Sequence, residues 1–207
     1  MLAAQPARAE RFIIPSGNMK PTLLVGDVIN TDAVAGVPER GAVVMFRHPV
    51  THEAHVARLI GLPGERVWIK DGIPYLNGNP ALQEPVGDFE EVMEAQRALR
   101  LFPRCGNRPV AIGGVCLKQR LRETLPDGRH YDVLNIADQG MDNTGEFRIP
   151  DGHVFVMGDN RDNSNDSRVP QIAGGPGLVP TDKVFARVTR ILYNAEGHLD
   201  RIMKGVE

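Results

Sequence analysis

No apolar run in this chain is long enough to cross a bilayer. The best stretches, GAVVMF at 41–46 and VFVMG at 154–158, fall far short of the roughly 18 residues that a spanning helix needs. The opening MLAAQPARAE has neither the basic start nor the long apolar centre of a secretory signal. An excess of charge of one sign is also missing. Lys and Arg number 24 against 26 Asp and Glu, so no broad basic field exists to hold nucleic acid, and no nucleic-acid partner is expected. Repeats and low-complexity tracts are absent. Aromatics are scarce at 5%, but charged residues at 24% keep the composition that of an ordinary globular protein rather than a disordered or fibrous one. Only two cysteines occur, Cys105 and Cys116, in a Gly-rich, turn-prone segment where they can close a small loop. A disulfide suited to an oxidising compartment and a reduced pair both remain open. At 207 residues the chain can bury a core without help from metals.

What is present is the punctuation of a β protein, with 16 prolines and 22 glycines spread through the chain. Residues 67–69, a Lys70-Asp71-Gly72 turn and residues 73–76 predict a hairpin, and Asn77-Gly78 predicts a second tight turn directly after it. Further strands are expected over 23–29, 42–46, 55–60, 131–134, 154–157 and 184–192. Pro150-Asp151-Gly152 marks a turn before the run at 154. The exception is 89–101, where Phe89, Val92, Met93 and Leu99 recur at helical spacing behind a capping arrangement of Asp88 and Glu91. One short helix is expected there.

Three segments carry the chemistry: FIIPSGNMKPTLLVGD at 12–27, HVARLIGLPGERV at 55–67 and VFVMGDNRDNSNDSR at 154–168. Together they closely resemble the three boxes of bacterial type I signal peptidase, the membrane-bound serine endopeptidase that removes leader peptides from exported proteins. The resemblance runs from Phe12 to about Leu192 and includes ETLPDGRHYDVL at 123–134. It implies a mainly β, signal peptidase I-like fold of two antiparallel β-sheet lobes. A discontinuous core of 9–65 and 154–193 would carry the site, and 66–153 with 194–207 would form the inserted second lobe. In the family a serine attacks the peptide carbonyl and a neutral lysine takes its proton, a Ser-Lys variant of triad logic. The resemblance maps the nucleophile onto Asn18 and the general base onto Ala57. A carboxamide has no ionisable oxygen to attack with, and a methyl group accepts no proton. Little beyond residual acceleration from oxyanion contacts and binding is then expected.

The remaining site residues follow the same mapping. Ser16 matches a serine that helps hold the oxyanion, although a serine after Pro15 also reads as a plain turn residue. Phe12, Ile14, Met19, Leu23, His55 and Val56 match positions lining the substrate cleft, which in isolation would read as core. Ser164 matches the hydroxyl that orients the lysine; without that partner it should recruit water or Asn18. Asp166 and Arg168 are expected to pair and brace the site, with Asp159 and Arg58 as further structural residues. His55 lies on the same strand face as Ala57 by period two and is a candidate substitute base for Ser16.

A calcium loop through Asp162, Ser164 and Asp166 is disfavoured, because Ser167 and Ala173 stand where such a loop needs glycine and glutamate. His48, His52 and His55 in HPVTHEAH do not make HExxH and read better as loop histidines than as zinc ligands. Neither cofactor nor metal is implied. The expected partners are preprotein signal peptides in extended conformation and a membrane surface, reached with or without an anchor preceding the first box. The expected place is the periplasmic face of the bacterial cytoplasmic membrane. Two other outcomes are an active peptidase working through Ser16, and a structural component of an export or conjugation assembly.

Overall fold

The computed structural model describes residues 10–96 and 100–206. Fourteen strands run in chain order: β1 (Glu10–Ile13), β2 (Asp27–Ala33), β3 (Val43–Arg47), β4 (Ala54–Gly61), β5 (Arg66–Lys70), β6 (Ile73–Leu76), β7 (Asn79–Pro80), β8 (Leu82–Val92), β9 (Val115–Thr124), β10 (His130–Asn135), β11 (Phe147–Arg148), β12 (His153–Met157), β13 (Val179–Pro180) and β14 (Val184–Asn194). They form a seven-stranded sheet in the order β1-β2-β14-β3-β4-β12-β13, a three-stranded sheet β10-β9-β8 and a four-stranded sheet β11-β5-β6-β7. All named pairings are antiparallel. The protein is thus mainly β, built from several antiparallel sheets. Among the described residues no helix is long and apolar enough to cross a membrane.

The large sheet uses strands from 10–61 and 153–194, and the two smaller sheets use strands from 66–148. Alternation sorts its side chains into two layers. Val43, Met45 and Val56 face one cluster with Met19, Leu23 and Ile29. Val44, Ala57, Leu59, Val154 and Val156 face another. Residues 194–206 pack on this large sheet: Val206 joins the cluster of Met19 and Val188, and Arg201 pairs with Asp27 at the start of β2. A third cluster, with Ile60, Val67, Tyr131 and Phe155, joins the sheets.

The hairpin at 67–76 forms in the expected register, with Val67 opposite Leu76 and Lys70 opposite Ile73. Asp71 and Gly72 take the positive φ values, 51° and 75°, that the turn requires. The helix expected over 89–101 does not form. Phe89 and Val92 lie in β8 and pair with Lys118 and Val115 of β9, while residues 97–99 fall outside the described residues. The physical reason is the open ladder edge of β9, which offers 82–92 a partner that local spacing does not reveal. The strand expected at 23–29 begins later, at Asp27, because the chain from Met19 to Leu24 turns beneath the sheet.

Candidate functional site

The site lies where three segments meet at the edge of the large sheet. Box three approaches box one through Asn160, whose backbone N–H donates to the Asn18 carbonyl at 3.0 Å and whose Nδ2 donates to the Gly17 carbonyl at 2.8 Å. The Asn18 side chain reaches box two, donating from Nδ2 to the Val56 carbonyl at 2.9 Å. Its Oδ1 accepts the Ser16 hydroxyl at 2.9 Å. Both ends of the carboxamide are therefore engaged, and neither is free to act as acid, base or nucleophile.

Ala57 is 2% exposed and packs among Val44, Leu59 and Val156. Arg58 pairs with Met157 at the end of β12, so the chain leaves the sheet at Gly158 beside Ala57. The Ser164 hydroxyl packs against that glycine: a Cβ on Gly158 would stand 2.2 Å from it. Ser164 Oγ is buried with no hydrogen-bond partner among the described residues, while Asn18 bonds to Val56 and Ser16 instead. Asn18, Ala57 and Ser164 thus come together around Gly158, and the one ionisable side chain expected of a Ser-Lys site does not occur among these three.

The surroundings are braced by buried ions. Arg58 donates to Asp159 from Nε at 2.8 Å and from Nη2 at 2.7 Å, and its guanidinium lies 4.0 Å over the Tyr131 ring. Arg168 grips Asp166 through Nε at 2.8 Å and Nη2 at 2.9 Å. Asp166 also accepts the Gly158 N–H at 3.0 Å. Asp162 accepts the N–H groups of Ile136 and Ala137 at 2.6 and 3.1 Å. Asp162 and Asp166 are thus occupied by protein donors, in keeping with rejection of a calcium loop. Arg161 forms a bidentate pair with Glu123 at 2.6 and 2.8 Å. Burial alone would raise the Glu123 carboxyl, but the Arg161 charge and hydrogen bonds hold it below its ordinary range.

A cavity of about 640 Å³ opens over the site, lined by Ser16, Asn18, His55, Val56, Asn160 and the segment 101–104. Of the residues mapped onto the substrate cleft, His55 and Val56 line it. Ile14, Met19 and Leu23 are instead buried in the core beneath, with Phe12 packed against them. The His55 ring packs at a tilt against His48 and Phe46, ring centroids 5.0 and 5.6 Å apart, while the Ser16 hydroxyl donates to Asn18. Burial, then the His48 charge, pulls the His55 ring below its ordinary value, so it is mostly neutral at neutral pH.

Sequence reasoning passed over four residues at this site. Asn160 is 0% exposed and ties box one to box three. Lys20, Lys118 and Arg104 line the same cavity as Asn18. Lys118 had a local signal: it falls two residues after Cys116, on the inward phase of β9. Both lysine amines pair with the Glu91 carboxylate, so neither is presented to Ser16 as a free base.

A family profile described as signal peptidase, peptidase S26, matches residues 1–193. The signal peptidase I of Pseudomonas aeruginosa is 35% identical over 176 residues, covering 77% of this chain and 54% of that protein. The chain therefore spans about half the length of this relative. The signal peptidase I of Rickettsia canadensis is 30% identical over 218 residues, covering 90% of this chain and 72% of its own. A solved signal peptidase I from Enterococcus faecalis V583 aligns over 73% of this chain at 23% identity, with a TM-score of 0.36. With a match running from residue 1 to residue 193, the chain belongs to the signal peptidase family, peptidase S26.

Proposed function

We propose that this protein keeps the peptide cleft of the signal peptidases but does not cut what it binds. Its ligand is the leader region of a preprotein in extended conformation, held at the outer face of a cytoplasmic membrane. The observation that carries this reading is the Asn18 carboxamide, bonded to the Val56 carbonyl and the Ser16 hydroxyl where the family sequence pattern places an attacking serine. Two features support it. Ala57, at the base position, is enclosed by apolar side chains and offers no proton acceptor. Ser164, whose counterpart orients the base, has a hydroxyl with no partner among the described residues.

What remains is suited to binding. The cavity is open along the Val56 edge of β4, where an extended peptide can add main-chain hydrogen bonds to the sheet. The Asn18 backbone amide, and the Ser16 hydroxyl once it turns from Asn18 Oδ1, match the family's oxyanion donors, so a peptide carbonyl can dock without being attacked.

The test is cleavage of a leader-peptide substrate by the unmodified chain beside the double variant Asn18→Ser with Ala57→Lys. Product should form with the double variant and not with the unmodified chain. Equal turnover by both would overturn the reading and move the chemistry to Ser16.

A further inference from the structure

One end of the cleft gathers more positive charge than the fold neutralises. Lys20 and Lys118 are 4% and 2% exposed, and both ammonium groups share a single carboxylate, Glu91. Arg104 stands beside them and donates from Nη1 to the Asp162 carbonyl, which uses one of its five N–H groups. All three cations line the cavity that holds Ser16, Gly17 and Asn18, whereas Glu91 lines a neighbouring cavity. Three positive charges against one negative leave an excess of two, and among the described residues Arg104 has no carboxylate partner. Glu53, the one carboxylate lining the cavity among the described residues, belongs to the wall formed by 53–56.

Two further features point to a ligand. Asn160 lines the cavity, is 0% exposed, and has a side-chain oxygen with no hydrogen-bond donor among the described residues. A peptide N–H is the kind of group that would satisfy it. The segments that carry two of the three cations are also tied together covalently. Arg104 precedes Cys105, Lys118 lies two residues beyond Cys116, and Cys105 and Cys116 are joined by a disulfide with Cα atoms 5.1 Å apart. The bond fastens the Arg104 loop to the strand that carries Lys118.

We propose that this end of the cleft is a carboxylate subsite, where an extended peptide places an acidic side chain or its own C-terminal carboxylate against Arg104 and the Lys20–Lys118 pair. The inference rests on the peptide-binding reading above and adds the charge of the ligand to it. A guanidinium with free N–H groups takes a carboxylate in bidentate fashion, and the neighbouring ammonium groups strengthen that contact where water is scarce. Burial first, and then the Lys20 and Arg104 charges, hold the Lys118 amine below its ordinary value against the pull of its half share in Glu91. A bound carboxylate relieves that repulsion.

The experiment compares three fluorescent, alanine-rich peptides by anisotropy: a neutral one with an amidated C-terminus, the same peptide with a free C-terminal carboxylate, and an amidated one carrying a single Asp. At least one carboxylate peptide should bind about tenfold tighter than the neutral one, or ~1.4 kcal/mol, and which one does so identifies the source of the group. Arg104→Gln should shrink the preference to about twofold. Lys20→Met should do the same, and reduction of the disulfide should weaken it, with circular dichroism confirming the fold in each case. Equal affinity for all three peptides would overturn the inference and leave peptide binding standing. Binding of none would overturn both. A full preference retained in Arg104→Gln and in Lys20→Met would also overturn it.

Discussion

Of the glycines at the site, Gly158 has the least room. An added Cβ would stand 2.2 Å from Ser164 Oγ, 2.5 Å from Ser164 Cβ and 2.7 Å from the Asn18 carbonyl oxygen. The Ser164 atoms belong to a packed turn, and the Asn18 carbonyl is held by Asn160. None is the loose end of a flexible side chain that can step aside. Gly158→Ala is therefore expected to cost about 1–3 kcal/mol through overpacking, lowering the melting temperature by about 2–12 °C in a thermal scan. Gly145 has nothing within 4 Å of its added Cβ and no positive φ, so Gly145→Ala is the matched control. It should stay within about 0.5 kcal/mol of the parent protein. If the two variants melt together, box one and box three are not in the contact described.

Between elements, one buried chain of charge and aromatic ring ties the large sheet to the three-stranded sheet. Asp159, just past β12, holds Arg58 of β4, whose guanidinium covers Tyr131 of β10. The Tyr131 hydroxyl donates to Glu123 of β9 at 2.7 Å, and Glu123 is gripped by Arg161. Removing Arg161 alone leaves Glu123 charged, buried and without its main partner. Arg161→Met should cost about 3–5 kcal/mol in urea unfolding, while the double change Arg161→Met with Glu123→Met should recover part of that loss. Much of this arrangement could be anticipated from the residues. The Asp-Gly and Asn-Gly turns at 71–72 and 77–78 are local signals, and they set the β5–β6 and β6–β7 hairpins without reference to the rest of the chain. β8 is different. Gly87 has a φ of 97° and sits where the register shifts between Pro85 and Asp88, so one extra residue interrupts the alternation of the strand. The partly buried positions fall at 83, 86, 89 and 91, and the spacings of three that the bulge introduces imitate a helix. The site shows the same division. Asn18, Ala57 and Ser164 could be picked out from continuous segments, but Arg104 and Lys118 reach the cleft through a disulfide and a strand pairing that no local pattern encodes.

Taken over the whole molecule, these ion pairs set how stability should depend on pH. Glu65, Glu91 and Glu123 are all held below their ordinary value of 4.5. In each, burial acts to raise the carboxyl and is overcome: by Arg40 at Glu65, by Lys20 and Lys118 at Glu91, and by Arg161 at Glu123. As the pH falls through 4.5 the unfolded chain takes up these protons first, so it binds more protons than the folded chain and stability declines. The loss is complete only below the depressed folded values. Each fully coupled carboxylate contributes at most about 1.4 kcal/mol per pH unit in that window. Glu65 should contribute least, because it is the most solvent-exposed of the three and water screens its pair. Asp142 acts in the opposite sense: burial raises its carboxyl, so the folded chain binds its proton more readily and gains stability as the pH falls. Three depressed groups outweigh this one. The melting temperature should therefore slip slightly from neutral pH down to about 5, as the unfolded chain protonates His55 before the folded one does, and then fall steeply. Glu123→Gln should melt lower at neutral pH, because Arg161 is left buried without its counter-charge, but its melting temperature should fall less steeply in acid than that of the parent. Parallel acid slopes in the two proteins would show that Glu123 carries the same proton affinity folded and unfolded, which is incompatible with a buried, bidentate pair to Arg161.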